Sequence, residues 1–142
     1  MKVVFLLLIF ISILQATACE AKSGVVKTMS NSDQTNLPPT LETFVKAVND
    51  GDNEKFLSFF DKEKGVVNDW GRKFVGHEAI KGWSNKEFIG AKGKMTPTKL
   101  EKSGKEYRVL ADWKSNFYSG ASLFIFTLDG ETIKEMRIES AK

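Results

Sequence analysis

From Val3 to Leu14 the chain is apolar at every position except Ser12, an unbroken run with no helical or strand period. Beyond residue 36, apolar residues recur with a period. Leu41, Phe44, Val45 and Val48 keep the three-and-four spacing of an amphipathic helix. Leu37-Pro38-Pro39-Thr40 is its predicted start, with proline tolerated in the first turn and Thr40 placed to cap, and Asn49-Asp50-Gly51 closes it. Asp52 is positioned to cap a second helix that buries Phe56, Leu57, Phe59 and Phe60. Val66 to Trp70 then reads as a strand, Gly71-Arg72 as a turn and Lys73-Phe74-Val75 as a short return strand. Gly76 opens a third helix carrying Ala79, Ile80 and Trp83, and Gly90 and Gly93 mark a loop.

The second half alternates. Met95 to Glu101, Tyr107 to Ser115, Gly120 to Leu128 and Thr132 to Glu139 are strand candidates, separated by Ser103-Gly104, a bend near Asn116, and Asp129-Gly130. Tyr107, Val109, Ala111 and Trp113 share one face, with Arg108, Leu110, Asp112 and Lys114 on the other. Leu123-Phe124-Ile125-Phe126 is apolar on both faces, so one face is expected to meet the helices and the other a second surface, such as another copy of the chain. Three helices followed by a mostly antiparallel sheet argue for an α+β fold with the helices on one side.

Composition narrows the function. With 142 residues and 42% hydrophobic content, one domain plus a short appendage is expected. The net charge of +3 is spread along the chain rather than gathered in a basic arm, which speaks against a nucleic-acid partner. One cysteine and one histidine cannot supply the usual zinc shell or an internal disulfide. No Gly-rich phosphate loop, nucleophile elbow or metal-ligand cluster is present in the sequence, so neither a cofactor nor a metal is implied.

The leading run comes after Met1-Lys2 and ends in Ala16-Thr17-Ala18-Cys19, the layout of an export signal and too short for a comfortable bilayer span. Ala16-Thr17-Ala18-Cys19 resembles the bacterial lipobox, although Ala16 replaces the usual leucine. The resemblance implies a signal peptide over residues 1–18 and lipidation of Cys19, hence an envelope lipoprotein anchored in the membrane. Ala-x-Ala also suits ordinary signal peptidase, which would leave a secreted or periplasmic protein. Residues 19–36 are mostly small, polar or charged and read as a solvated tether, with the domain spanning residues 37–142.

Taken in order, Ala47-Val48-Asn49-Asp50-Gly51-Asp52, Val66-Val67-Asn68-Asp69, Phe74-Val75-Gly76-His77-Glu78-Ala79-Ile80 and the closing Asp129 to Ile138 resemble the NTF2-like superfamily, within it the SnoaL-like group of polyketide cyclases and ketosteroid isomerase relatives. The resemblance implies a curved sheet wrapped around a long helix to form a cone with an apolar pocket, often dimeric through the outer sheet face. It does not choose among enzyme, binding module and assembly domain, because this fold hosts all three.

By position Asp69 matches the aspartate that serves ketosteroid isomerases as general base, and walls of Trp and Phe would suit such a group to proton shuttling. As a plain structural residue, Asp69 would accept amides of the adjoining turn. The resemblance also calls for two donors to an enolate oxygen; an ungapped match places Phe44 and Leu123 there, and neither can donate. Steroid isomerisation is therefore not expected unless the second match shifts by one residue. His77 and Asp112 are further polar candidates, both expected on the surface. Trp70, Trp83, Phe88, Trp113, Phe117 and Phe126 are candidate pocket walls, with ordinary core packing as the alternative. Arg137, between Met136 and Ile138, is a candidate partner for Asp69 or for a ligand carboxylate, or a side chain that snorkels to the surface. The expected ligand is a small, largely apolar molecule.

Overall fold

The computed structural model describes residues 35–142; Cys19, the leader and nearly all of the tether lie outside them. Helix α1 (Pro39–Asp50) buries Leu41, Phe44, Ala47 and Val48. Its cap is not Thr40. The boundary residue is Pro38, in extended conformation with no side-chain cap, and its carbonyl accepts the amides of Leu41 and Glu42 at 2.9 and 3.0 Å. Pro39 sits in the first turn, where its preset φ starts the helix before Thr40 is reached. Helix α2 (Asn53–Ser58) is capped as expected, Asp52 Oδ1 accepting from the Lys55 amide at 2.9 Å. Helix α3 spans Gly76–Glu87 and buries Ile80, Trp83 and Ser84.

Strands β1 (Val66–Asp69), β2 (Arg72–Val75), β3 (Lys94–Ser103), β4 (Glu106–Lys114), β5 (Ser119–Asp129) and β6 (Thr132–Ser140) form one sheet in the order β2-β1-β6-β5-β4-β3. Only β1 and β6 run parallel. Register shifts between Pro97 and Lys99 on β3 and between Thr127 and Leu128 on β5 are the irregularities that bend long strands. The expected α+β architecture, a mostly antiparallel sheet with its helices toward the N-terminus, is what the chain adopts.

Period-two alternation turns Val109, Ala111, Phe124, Phe126 and Met136 inward. Phe44 is fully buried against them and at the centre of a ring cluster, with centroids 5.1 Å from Phe126, 5.5 Å from Phe56 and 5.7 Å from Phe59. Burying one such ring contributes roughly 1.5–3 kcal/mol, so this cluster fixes α1 and α2 against the sheet.

On the outer face one apolar residue, Ile125, is covered within the chain, while Leu110 and Leu123 stay half-buried. Ile125 is 1% exposed although it points away from the helices. Its register partners are Arg108 on β4 and Arg137 on β6, and both guanidinium groups reach Glu106, at 3.5 and 3.2 Å. Two arginine stems drawn together by one carboxylate flank the isoleucine and shield it from water.

Candidate functional site

The β1–β2 turn is one residue earlier than its sequence suggests. Asp69 pairs with Arg72, and Trp70-Gly71 form the two-residue loop, with φ of 51° and 89°. Positive φ at both positions is the hairpin geometry that normally selects Asn-Gly. Tryptophan is a costly choice there, and it is 64% exposed. The one-residue difference matters chemically, because it sets Arg72 directly across from Asp69.

Asp69 is held from two sides. Its Oδ2 accepts from Arg72 Nη2 and, at 3.1 Å, from Trp83 Nε1. The same guanidinium continues to Glu87 on α3, with Nη1 and Nη2 donating to Oε1 and Oε2 at 3.1 and 2.6 Å. This two-pronged bond to Arg72 is the main reason the Glu87 carboxyl is held below the usual carboxylate range, and the same contacts hold the Arg72 guanidinium charged. A strand pair is thus tied to a helix by one arginine between two carboxylates.

Behind this bridge the rings stack. Phe74, Trp83, Phe88 and Trp113 follow one another with centroid separations of 5.7, 4.9 and 4.5 Å and interplanar angles of 27°, 24° and 12°. Phe88 ends α3 and lies between Trp83 and Trp113, so both of its faces are covered. Close approach at the far end depends on Gly93: a Cβ there would lie 2.1 Å from the Trp113 ring.

A cavity of about 340 Å³ opens between this stack and the sheet. Asp69 and Ile138 contribute one side, Trp83, Glu87 and Phe88 another, and Trp113, Ser122 and Phe124 the sheet floor. Trp70, Phe117 and Tyr118 form an exposed rim, joined by Ser115, whose Oγ accepts the Phe117 and Tyr118 amides at 3.3 and 3.2 Å. The volume lies at the lower end of the roughly 300–1,000 Å³ that small-molecule sites occupy.

Of the residues singled out from the sequence, Asp69, Trp70, Trp83, Phe88, Trp113 and Phe117 lie on this cavity, and Phe126, Arg137, His77 and Asp112 do not. Phe126 is 1% exposed in the core against Phe44, two positions along β5 from Phe124 and beneath α1. Arg137 is on the outer sheet face, because Met136 and Ile138 take the inward positions, and it pairs with Glu106 rather than with Asp69. His77 Nε2 lies 2.9 Å from the Phe60 carbonyl, and Asp112 is exposed; neither borders the cavity. Phe44 is core and Leu123 faces outward with its register partner Leu110; the inward neighbour is Ser122.

Ser122, Glu87 and Tyr118 are site residues that the sequence pattern alone does not single out. Alternation with Phe124 is the available signal for Ser122, and the i, i+4 relation to Trp83 the one for Glu87. Among the described residues no group of three or more His, Cys, Asp or Glu is placed to hold a metal.

No family model matches the chain, and no curated protein matches it by sequence. Solved structures do match. A proposed polyketide cyclase of Sinorhizobium meliloti superposes with a TM-score of 0.66 at 22% identity, covering 72% of this chain and 95% of that one. The fold is that of NTF2-like proteins. Two further neighbours of this NTF2-like domain were solved with ligands. A Mycobacterium tuberculosis protein in complex with estradiol-17β-hemisuccinate has a TM-score of 0.62 at 15% identity, over 72% of this chain and 91% of that one. The orange carotenoid protein of Anabaena, binding canthaxanthin, has a TM-score of 0.65 at 15% identity over 75% of this chain, which spans only 37% of that protein.

The turn residue of this NTF2-like domain offers a direct check on whether its conformation serves the site. Trp70→Asn is expected to raise stability by about 1 kcal/mol, since asparagine tolerates left-handed backbone better than tryptophan. Urea unfolding measures the change; a loss of stability would mean that the indole is a packing residue.

Proposed function

We propose that the chain is an exported receptor domain, lipid-anchored through Cys19, that holds a small, largely apolar molecule in its cone pocket without covalent chemistry. The observation that carries the binding reading is the 340 Å³ space walled by stacked rings and floored by Trp113, Ser122 and Phe124. The ligands named for two neighbours, a carotenoid and an estradiol derivative, agree with an apolar occupant. Support for binding over proton transfer comes from the positions where isomerases of this group carry enolate donors: Phe44 is packed among rings and Leu123 faces outward. Losing one such donor typically costs about 2.7 to 4 kcal/mol in the barrier.

Export and anchoring rest on the leader and on Ala16-Thr17-Ala18-Cys19. Intact mass of the membrane-fraction protein tests them, an acylated Cys19 N-terminus being expected and an unmodified soluble one overturning the anchor. Register partners Leu110 and Leu123 on the outer sheet face are where two copies would pair.

Titration with N-phenyl-1-naphthylamine, a neutral ring probe that brightens in apolar surroundings, tests the pocket. Saturable binding is expected, and Ser122→Trp, which fills the floor, should abolish it while far-ultraviolet circular dichroism is retained. No saturable binding by the unaltered chain would overturn the receptor reading. Asp69→Asn addresses the chemistry. If the chain exchanges the α-protons of an enolisable ketone and Asp69→Asn loses that exchange, an acid/base enzyme with Asp69 as general base replaces the receptor.

A further inference from the structure

The charged side chains that border the cavity are Asp69 and Glu87, and no Lys, Arg or His among the described residues borders it. Arg72, bound between the two carboxylates, offsets one negative charge and leaves the pair with an excess of one. The rings add to this in sign. Phe88 is covered on both faces, and the other rings that border the cavity are Trp83, Trp113, Phe124 and the exposed rim rings Trp70, Phe117 and Tyr118. The face of an aromatic ring carries partial negative charge and attracts cations, indole most strongly. At the floor, Ser122 is 4% exposed, borders the cavity and makes none of the described side-chain hydrogen bonds. A hydroxyl on the wall of an otherwise apolar space is placed to hydrogen-bond a ligand or a water molecule.

From these observations we infer that the pocket selects a monocationic organic molecule with an apolar body, its positive centre held near the Asp69–Glu87 pair among the Trp and Tyr rings. The inference deepens the receptor reading and rests on it. An anionic occupant meets two carboxylates and the negative faces of the rings, with no free cation among the described residues bordering the cavity to compensate. A neutral occupant of the same shape fills the space but leaves the excess charge unanswered.

Three molecules of nearly one shape separate these cases: benzyltrimethylammonium, its hydrocarbon isostere neopentylbenzene, and the anion phenylmethanesulfonate. Each is competed against N-phenyl-1-naphthylamine bound to the full chain at low ionic strength. Benzyltrimethylammonium is expected to displace the probe at about tenfold lower concentration than neopentylbenzene, the scale of a partly desolvated cation–ring interaction. Phenylmethanesulfonate is expected to be the weakest of the three. The preference for the cation over the hydrocarbon should shrink to within about threefold in Glu87→Gln, a half-exposed position where loss of folding is not expected. It should shrink likewise in Trp70→Ala, which removes one rim ring without touching the carboxylates.

If the naphthylamine binds and the hydrocarbon or the sulfonate displaces it as well as the ammonium does, charge selection is overturned and the apolar receptor stands. A cation preference that survives undiminished in both variants also overturns the assignment, since it would arise outside this site. If the naphthylamine itself does not bind, the receptor reading falls, and this inference falls with it.

Discussion

Gly93→Ala is expected to cost about 2–3 kcal/mol of folding stability and to abolish binding of a ring probe. The added Cβ would lie 2.1 Å from the tip of the Trp113 ring and 2.8 Å from the Phe88 carbonyl oxygen. Neither neighbour gives way freely. The Trp113 ring is stacked 4.5 Å from Phe88, which is itself stacked on Trp83, so displacement of one indole disturbs the whole series. Overpacking of this kind typically costs about 1–3 kcal/mol, and here the direction of escape matters as much as the amount. With Phe88 behind it, the Trp113 ring has the cavity as its open side, and a ring driven there occupies the space a ligand needs. Urea unfolding and titration with N-phenyl-1-naphthylamine would be read on the same preparation. Retained affinity at unchanged stability would show that Trp113 moves without consequence.

Gly93 also marks what the sequence makes legible. Its position between apolar runs announces a loop, and nothing local announces that an indole presses against it, because Trp113 is on β4, twenty residues away. The same boundary separates success from failure elsewhere. Strand alternation places Trp113 and Phe124 on the inner face without any coordinates, because side chains two apart must share a face. Applied strictly to β6, it also sends Arg137 outward once Met136 and Ile138 are inward, leaving it to pair with Glu106 on the outer face. Phe126 obeys the alternation yet misses the cavity, because how far α1 covers the sheet is a tertiary fact. The β1–β2 turn misleads for a different reason: Trp70 takes a left-handed conformation that glycine or asparagine usually fills, so the residue carrying the signal is not at the start of the turn. That shift hides the most informative contact of the site. Arg72 across from Asp69 is a matter of register, and its further bond to Glu87 requires α3 to be docked beside the hairpin.

Apolarity on both faces of β5 is answered in part within the chain, since Ile125 is covered by Arg108 and Arg137 while Leu123 stays half-buried on the outer face. Long cationic side chains can do the work of apolar ones along their stems, and a hydropathy pattern scores only their charge.

Trp113→Ala should have the largest effect on the domain, about 3–5 kcal/mol of stability, the range for deleting a large buried ring. The indole is 8% exposed, with Phe88 on one side and Phe124 at 5.8 Å. Removing it merges its volume with the existing cavity, so affinity for a ring probe should fall for the reverse of the reason that applies at Gly93, a site too open rather than filled. The two substitutions therefore report on one contact, and combining them separates the ring clash from every other consequence of a methyl group at position 93. In the Trp113→Ala background Gly93→Ala should cost no more than about 1 kcal/mol, what remains being the approach to the Phe88 carbonyl. Additive costs in the double-mutant cycle would show instead that Gly93 is needed for its backbone alone. The cavity would then have to be explained without the stacked indole as its wall.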